Sequence, residues 1–140
     1  MILLDTNVLS ELMRPMPEPK VVHWVDGQSE LDVWISAVTV AEIRLGIALL
    51  PGGKRKALLF NLAEQMFQEE FREQCLPFDC DAAREYALIL AERNRQGRPV
   101  SVEDAQIAAI ARTAALTLAT RNTKDFSDIE RLDLVNPWSN

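Results

Sequence analysis

Three consecutive aliphatic residues, Ile2, Leu3 and Leu4, stop abruptly at Asp5, and this transition constrains the fold more than any other feature of the chain. A short run that is apolar at every position, with no alternation, is the pattern of a strand covered on both faces, and such strands belong to parallel sheets flanked by helices. Ile2 to Leu4 therefore reads as a central strand. Asp5 then stands at its carboxyl end, the edge at which open parallel sheets bind ligands where the strand order reverses.

The rest of the 140-residue chain alternates in the same sense. Thr6 to Met13 predicts a short helix stopped by Pro15, Pro17 and Pro19, and Pro19 can open the next helix through Val21, Val22, Trp24 and Val25. Val33 to Ser36 reads as a second strand, followed by helical spacing from Thr39 to Leu50 that ends at Pro51, Gly52 and Gly53. Lys54 to Glu73 predicts a longer amphipathic helix with Leu58, Leu59, Leu62, Met66 and Phe67 inward, after which Cys75 to Phe78 is extended. Asp79 or Asp81 caps a helix running to Arg95. Gly97 and Pro99 interrupt it, Ser101 starts a helix from Val102 to Ala115, Leu116 to Thr120 is the next strand and Leu132 to Val135 an edge strand. This order predicts an α/β fold, a single domain over residues 1–140 with a mostly parallel central sheet covered on both sides.

Fifteen Lys and Arg against 21 Asp and Glu give a formal charge of -6, which argues against a sequence-independent grip on a polyphosphate by charge alone. A pocket that concentrates carboxylates can nevertheless hold divalent cations and meet phosphate through them. The composition, 48% hydrophobic and 26% charged, is that of a soluble globular chain. Two cysteines and one histidine exclude a disulfide framework and a zinc site of the usual spacing. Cys75 and Cys80 read as free buried thiols, His23 as the end of a packed helix, and Trp24, Trp34 and Trp138 as core or interface anchors. The amino terminus has no basic leader and meets an acid at its fifth residue, unlike a signal peptide or membrane span. A reducing cytoplasm, with no membrane partner, is the expected location.

Where the acids fall carries the chemistry. Asp5 either caps the following helix or stands free at the strand end. Glu42 lies three residues after Thr39 and Asp104 three after Ser101, the capping-box spacing, so each has a structural role available. Each also begins the apolar side of its helix: Asp104 shares a stripe with Ile107, Ala108, Ala111 and Ala115, and Glu42 with Leu45, Gly46 and Leu49. Helices that follow strands on one edge would bring Asp5, Glu42 and Asp104 together. Two carboxylates about 5 Å apart repel by roughly 3 kcal/mol at an effective dielectric near 20, so such a cluster raises its own pKa values or recruits a cation. With oxygen ligands alone the expected ion is Mg²⁺ or Mn²⁺. Asn122 or Asp125, after the strand ending at Thr120, could complete the ring.

The segments LLDTNVLSEL at residues 3–12, SAVTVAEIRLGI at 36–47, SVEDAQIAAIA at 101–111, LATRNTKDF at 118–126 and VNPW at 135–138 together resemble a PIN-domain ribonuclease of the VapC/FitB type, the toxin half of bacterial toxin-antitoxin pairs. The resemblance runs the full length. It implies a three-layer α/β/α sandwich, Mg²⁺-dependent hydrolysis of RNA phosphodiesters, homodimerisation, and inhibition by a small DNA-binding antitoxin. Carried over by position, Asp5 and Asp104 match metal-holding aspartates and Glu42 the third acid. At position 122 many relatives have Asp where this chain has Asn, so the fourth acid is absent, supplied by Asp125, or replaced by the Asn122 amide.

The implied chemistry needs no protein nucleophile: a metal held by Asp5 and Asp104 activates water, Glu42 or Asp125 orients it or takes its proton, and Thr6 and Asn122 contact substrate. Thr6 could equally serve only the local turn. Two other classes compete. A receiver-like phosphoryl acceptor also places acids at strand ends, but its pattern wants a second Asp two residues after Asp5, where this chain has Asn7. The other is a catalytically weak or inactive PIN subunit that acts through its complex with the antitoxin.

Overall fold

The computed structural model describes residues 1–139. Five short strands form its framework: β1 (Ile2–Leu4), β2 (Val33–Ser36), β3 (Cys75–Leu76), β4 (Thr117–Ala119) and β5 (Leu134–Val135). They lie in the order β3-β2-β1-β4-β5, and every neighbouring pair is parallel. The uninterrupted apolar run is thus the middle strand. Leu3 pairs with Trp34 on one side and Leu118 on the other. From β1 the chain builds outward through β2 to β3, then crosses back to lay β4 against the opposite side of β1. That reversal is the topological switch point at which open α/β sheets bind ligands, and it lies beside Asp5.

Seven α-helices cover the sheet: α1 (Thr6–Leu12), α2 (Pro19–Asp26), α3 (Ala37–Ala48), α4 (Lys54–Gln65), α5 (Cys80–Arg95), α6 (Val102–Thr113) and α7 (Thr123–Phe126). Side chains alternate along each strand, so adjacent residues enter different cores. Leu4 and Ala119 join Val8, Leu9, Val21, Ile43 and Ala63 of α1 to α4. Leu3 and Leu118 join Ile89 of α5, the Ala105–Ala111 stretch of α6 and Phe126. The result is the expected three-layer α/β/α sandwich. Leu3, Leu4, Val8 and Leu9 are all fully buried, each stabilising the fold by about 1.5–3 kcal/mol. The alanines of α6 keep that helix slim enough to be enclosed between the sheet and α5.

The structure moves several expected boundaries, each for a local reason. Helix α3 starts at Ala37 instead of Thr39, because Ser36 is its N-cap and its hydroxyl accepts from the Thr39 N–H at 3.1 Å. The long helix expected to Glu73 keeps α-helical bonding only to Gln65; from Met66 to Glu70 it widens into a π-helical turn closed by Phe71 N–H on the Met66 carbonyl. Phe71 thereby enters the core with Met66 and Phe67 beside it, while Leu58, expected inward, is exposed. Extended structure after this turn is confined to Cys75–Leu76, and the edge strand to Leu134–Val135. Helix α6 stops at Thr113, and Ala115, expected on its inward stripe, is exposed in the left-handed conformation with φ 56°. Leu116 N–H then closes on the Ala111 carbonyl at 2.9 Å, a Schellman-like stop built without glycine.

Both cysteines are exposed free thiols, not buried ones, and His23 faces outward. The three tryptophans are half-buried against the two cores, Trp34 on one side and Trp24 and Trp138 on the other. No helix among the described residues is long and apolar enough to cross a membrane.

Candidate active site

Asp5 is held at the switch point by main chain from two strands. Its own N–H donates to the Ala119 carbonyl at 2.9 Å, continuing the β1–β4 pairing by one residue. Its side chain caps α1, Oδ1 accepting from Thr6 N–H at 2.8 Å, while Oδ2 accepts from the Thr120 hydroxyl at 2.7 Å. The residue is 4% exposed. Capping and a place at the sheet edge therefore coexist. Burial raises the Asp5 pKa above the ordinary aspartate range; the Thr120 and Thr6 bonds oppose that shift, and the charges of Glu42 and Asp125 add to it.

Glu42 comes to the same edge by a route the sequence did not suggest. The inward face of α3 consists of Thr39, Ile43 and Ile47, whereas Leu45 and Leu49, read as sharing Glu42's inward stripe, are 59% and 75% exposed. Since Ser36 caps the helix, Glu42 is no capping-box partner of Thr39. It is half-buried, and its Oε1 accepts from the Thr6 hydroxyl at 2.7 Å. The same hydroxyl lies 2.9 Å from the Thr39 hydroxyl. Thr6 is thus committed to α3 and does not serve its own turn.

Asp104 sits in the first turn of α6, whose N-cap Ser101 accepts from the Asp104 N–H at 3.1 Å. Its stripe does face inward through Ile107, Ala108 and Ala111. The Asp104 carboxyl is pushed up to about 6, by burial first and the Asp5 charge second; the Ser101 hydrogen bond opposes this, and Glu42 and Asp125 contribute further repulsion. Four carboxylates on four elements therefore share one electrostatic neighbourhood. They are gathered without being fused: among the described residues no three acidic, imidazole or thiol groups stand close enough to form a ready metal cage.

Asn122, the N-cap of the one-turn helix α7, and Asp125 within it are both exposed after β4. Asn122 N–H donates to the Thr120 hydroxyl oxygen at 3.0 Å. The Asp125 carbonyl accepts from Nη1 of Arg93 at 2.8 Å, so its backbone is fixed while its carboxylate remains in solvent.

Several participants were not singled out in the sequence. Thr120 occupies the carboxyl end of β4 as Asp5 does that of β1, a signal that was available. Asn7 braces the same corner, its Oδ1 accepting from Arg121 N–H at 3.3 Å. Ser36 and Thr39, both fully buried, are polar residues on apolar faces, and Arg93 is a cation enclosed by packing. Of the other arginines, Arg44 pairs with Glu64, Arg112 with Glu85, and Arg121 lies over the Trp138 ring.

A doubly wound parallel α/β protein with carboxylates gathered at its switch point presents an acidic edge where open sheets bind their ligands. Residues 2–132 match the family described as the PIN domain, and the chain belongs to that family. It is 45% identical over 138 residues to the toxin FitB of Neisseria gonorrhoeae, covering 99% of each chain. It is 41% identical to the VapC ribonuclease Y4jK of Sinorhizobium fredii, covering 99% of this chain and 98% of that one. The structure of FitAB bound to an IR36 DNA fragment contains a chain that superposes with a TM-score of 0.91 at 44% identity, covering 99% of this chain and 96% of that one.

Proposed function

We propose that this protein is an Mg²⁺-dependent endoribonuclease, the toxin member of a type II toxin-antitoxin pair acting in the cytoplasm, with Mn²⁺ as a substitute ion. The observation that carries the reading is the Asp5–Asp104 pair: two carboxylates from different elements, both raised by burial, with Asp104 lifted further by the charge of Asp5. Carboxylates that favour a proton when alone fit a site where a cation takes the proton's place. Mg²⁺ keeps several waters and takes only one or two carboxylates, the number of acids assigned to it here. Asp5 and Asp104 would hold the ion, which when bound supplies a Lewis acid for phosphate and a more acidic water.

The other residues have separable tasks. Thr6 fixes Oε1 of Glu42 and leaves Oε2 to take a proton from the attacking water. Because the Thr6 proton is spent on Glu42, Thr6 braces the base instead of donating to substrate. Asn122 offers an uncharged amide to the RNA phosphate, and Asp125 is the auxiliary acid that lends negative potential from the turn. The partners are an RNA substrate, a small DNA-binding antitoxin and a second copy of the chain. The names of the similar proteins, a toxin, a VapC ribonuclease and a tRNA(fMet)-specific endonuclease, support this class. A catalytically weak subunit acting mainly through its antitoxin complex is the second reading; the uncharged amide of Asn122, on the turn beside the acids, favours it.

Mapping of cleavage ends on total cellular RNA decides between them. Wild-type protein with Mg²⁺ should generate discrete new ends that disappear with Asp5→Asn or Asp104→Asn, both variants remaining folded. Equal cleavage by wild type and Asp104→Asn would overturn the assignment, and no cleavage by wild type would favour the second reading.

A further inference from the structure

Thr39 is fully buried on the inward face of α3, where a valine would fill the same volume without burying a hydroxyl. Burial of an unpaired hydroxyl is costly, so its contacts must account for it. An ionised carboxylate only accepts hydrogen bonds, and a threonine hydroxyl has a single proton. Thr6 therefore spends its proton on Glu42 Oε1 at 2.7 Å. At the 2.9 Å contact between the Thr6 and Thr39 hydroxyls either geometry would serve, but with the Thr6 proton committed, Thr39 must be the donor. The same bookkeeping makes Ser36 the donor in its 3.4 Å contact with Thr39. Ser36 is fully buried too, and its oxygen is simultaneously the acceptor for Thr39 N–H.

Resting on the ribonuclease reading, we propose that Thr39 is a positioning residue: its hydroxyl directs a one-way chain, Ser36 to Thr39 to Thr6 to Glu42, that holds Glu42 in place as the base. The chain starts at the N-cap of α3 and ends on a carboxylate of the same helix, but it passes through α1. It thereby locks the base to the residue that follows Asp5. No water can replace Thr39 or Ser36 at full burial. A residue present only to complete the cap would need just its main-chain N–H, which the Ser36 hydroxyl already satisfies.

The test uses the full chain with Thr39→Val, Thr39→Ser and Glu42→Gln. Thr39→Val should lower kcat about tenfold, roughly 1.4 kcal/mol of barrier, with KM little changed, and Thr39→Ser should restore most of the loss. In a Glu42→Gln background, Thr39→Val should have no further effect on kcat. Full activity in Thr39→Val, or a loss that multiplies with Glu42→Gln, would overturn the proposal. A second measurement is independent of cleavage: proton NMR of the folded protein should show slowly exchanging Thr39 and Thr6 hydroxyl protons, and the Thr6 signal should change its exchange rate in Thr39→Val. Hydroxyl protons that exchange as fast as those of a surface threonine would also overturn it. If wild type cleaves no RNA yet these protons are protected, the ribonuclease reading fails while the directed chain stands.

Discussion

The Thr120 hydroxyl donates to Asp5 Oδ2 at 2.7 Å across 115 residues of chain, tying together the carboxyl ends of two adjacent parallel strands. Both residues are buried, so the bond offsets part of the cost of keeping a carboxylate out of water. Thr120→Val should destabilise the fold by about 1–3 kcal/mol, the usual penalty for a buried group that loses its partner. The Asp5 pKa should rise further, because a contribution that lowers it is gone. Urea unfolding at neutral pH measures the first effect, and Thr120→Ser should recover most of it. Equal stability of Thr120→Val and wild type would mean that the bond contributes nothing net to the fold.

Asp104 should make the protein less stable as pH rises. Its folded pKa of about 6 lies above the ordinary 3.8, so between these values the unfolded chain releases a proton that the folded chain retains. Stability then falls with increasing pH across that window, and the whole penalty is present at pH 7. Asp104→Asn removes the penalty. Without divalent cation its Tm should exceed that of wild type by about 3 °C at pH 7.5, and the difference should vanish below pH 4. Adding Mg²⁺ should raise the wild-type Tm by mass action and leave Asp104→Asn nearly unmoved.

How much of this was legible in the sequence depended on whether the signal was local. Ile2–Leu4 announced a doubly covered strand because every residue in it is apolar, and Asp104 could be placed because Ser101 caps its helix from three residues away. Glu42 was harder. Its helix has apolar residues on more than one face, with Leu45 and Leu49 in solvent and Ile43 and Ile47 in the core, so periodicity pointed to the wrong stripe. The capping signal misled as well, since Ser36 and Thr39 are both good caps and only the structure decides between them. The hydroxyl links from Thr6 to Glu42 and from Thr120 to Asp5 join residues far apart in sequence, and no local pattern encodes such pairs. The π-helical turn at Met66 was invisible for a similar reason, its amino acids being compatible with an ordinary helix.

Arg93 should prove to be a structural residue that anchors the segment carrying Asp125. It is 4% exposed, and its Nε and Nη1 donate to the carbonyls of Arg98 and Asp125 at 2.7 and 2.8 Å. It thereby ties the end of α5 to the turn that carries Asp125. Arg93→Met relieves the burial of a charge but strands two carbonyls, with an expected net loss of about 2 kcal/mol. Hydrogen exchange should accelerate through residues 122–126 before it does so in β1. Arg93→Lys should not rescue, because an ammonium lacks the forked donors that reach both carbonyls.

Asn122→Asp tests whether the site is short of one negative charge. The Asn122 N–H reaches the Thr120 hydroxyl oxygen that in turn serves Asp5, so a carboxylate at this position adds its charge to the neighbourhood of Asp5 and Asp104. Two opposite consequences follow. Without cation, repulsion should lower stability at pH 7.5 by about 0.5–1 kcal/mol, a small effect because position 122 is exposed and solvent screens it. With Mg²⁺ the same charge becomes attractive, and titration calorimetry should show an affinity about three- to tenfold higher than in wild type. The thermal shift produced by Mg²⁺ should therefore be larger in the variant even though its cation-free Tm is lower. If both quantities stay at wild-type values, position 122 lies beyond the reach of the bound ion and Asp125 is left as the acid of that turn.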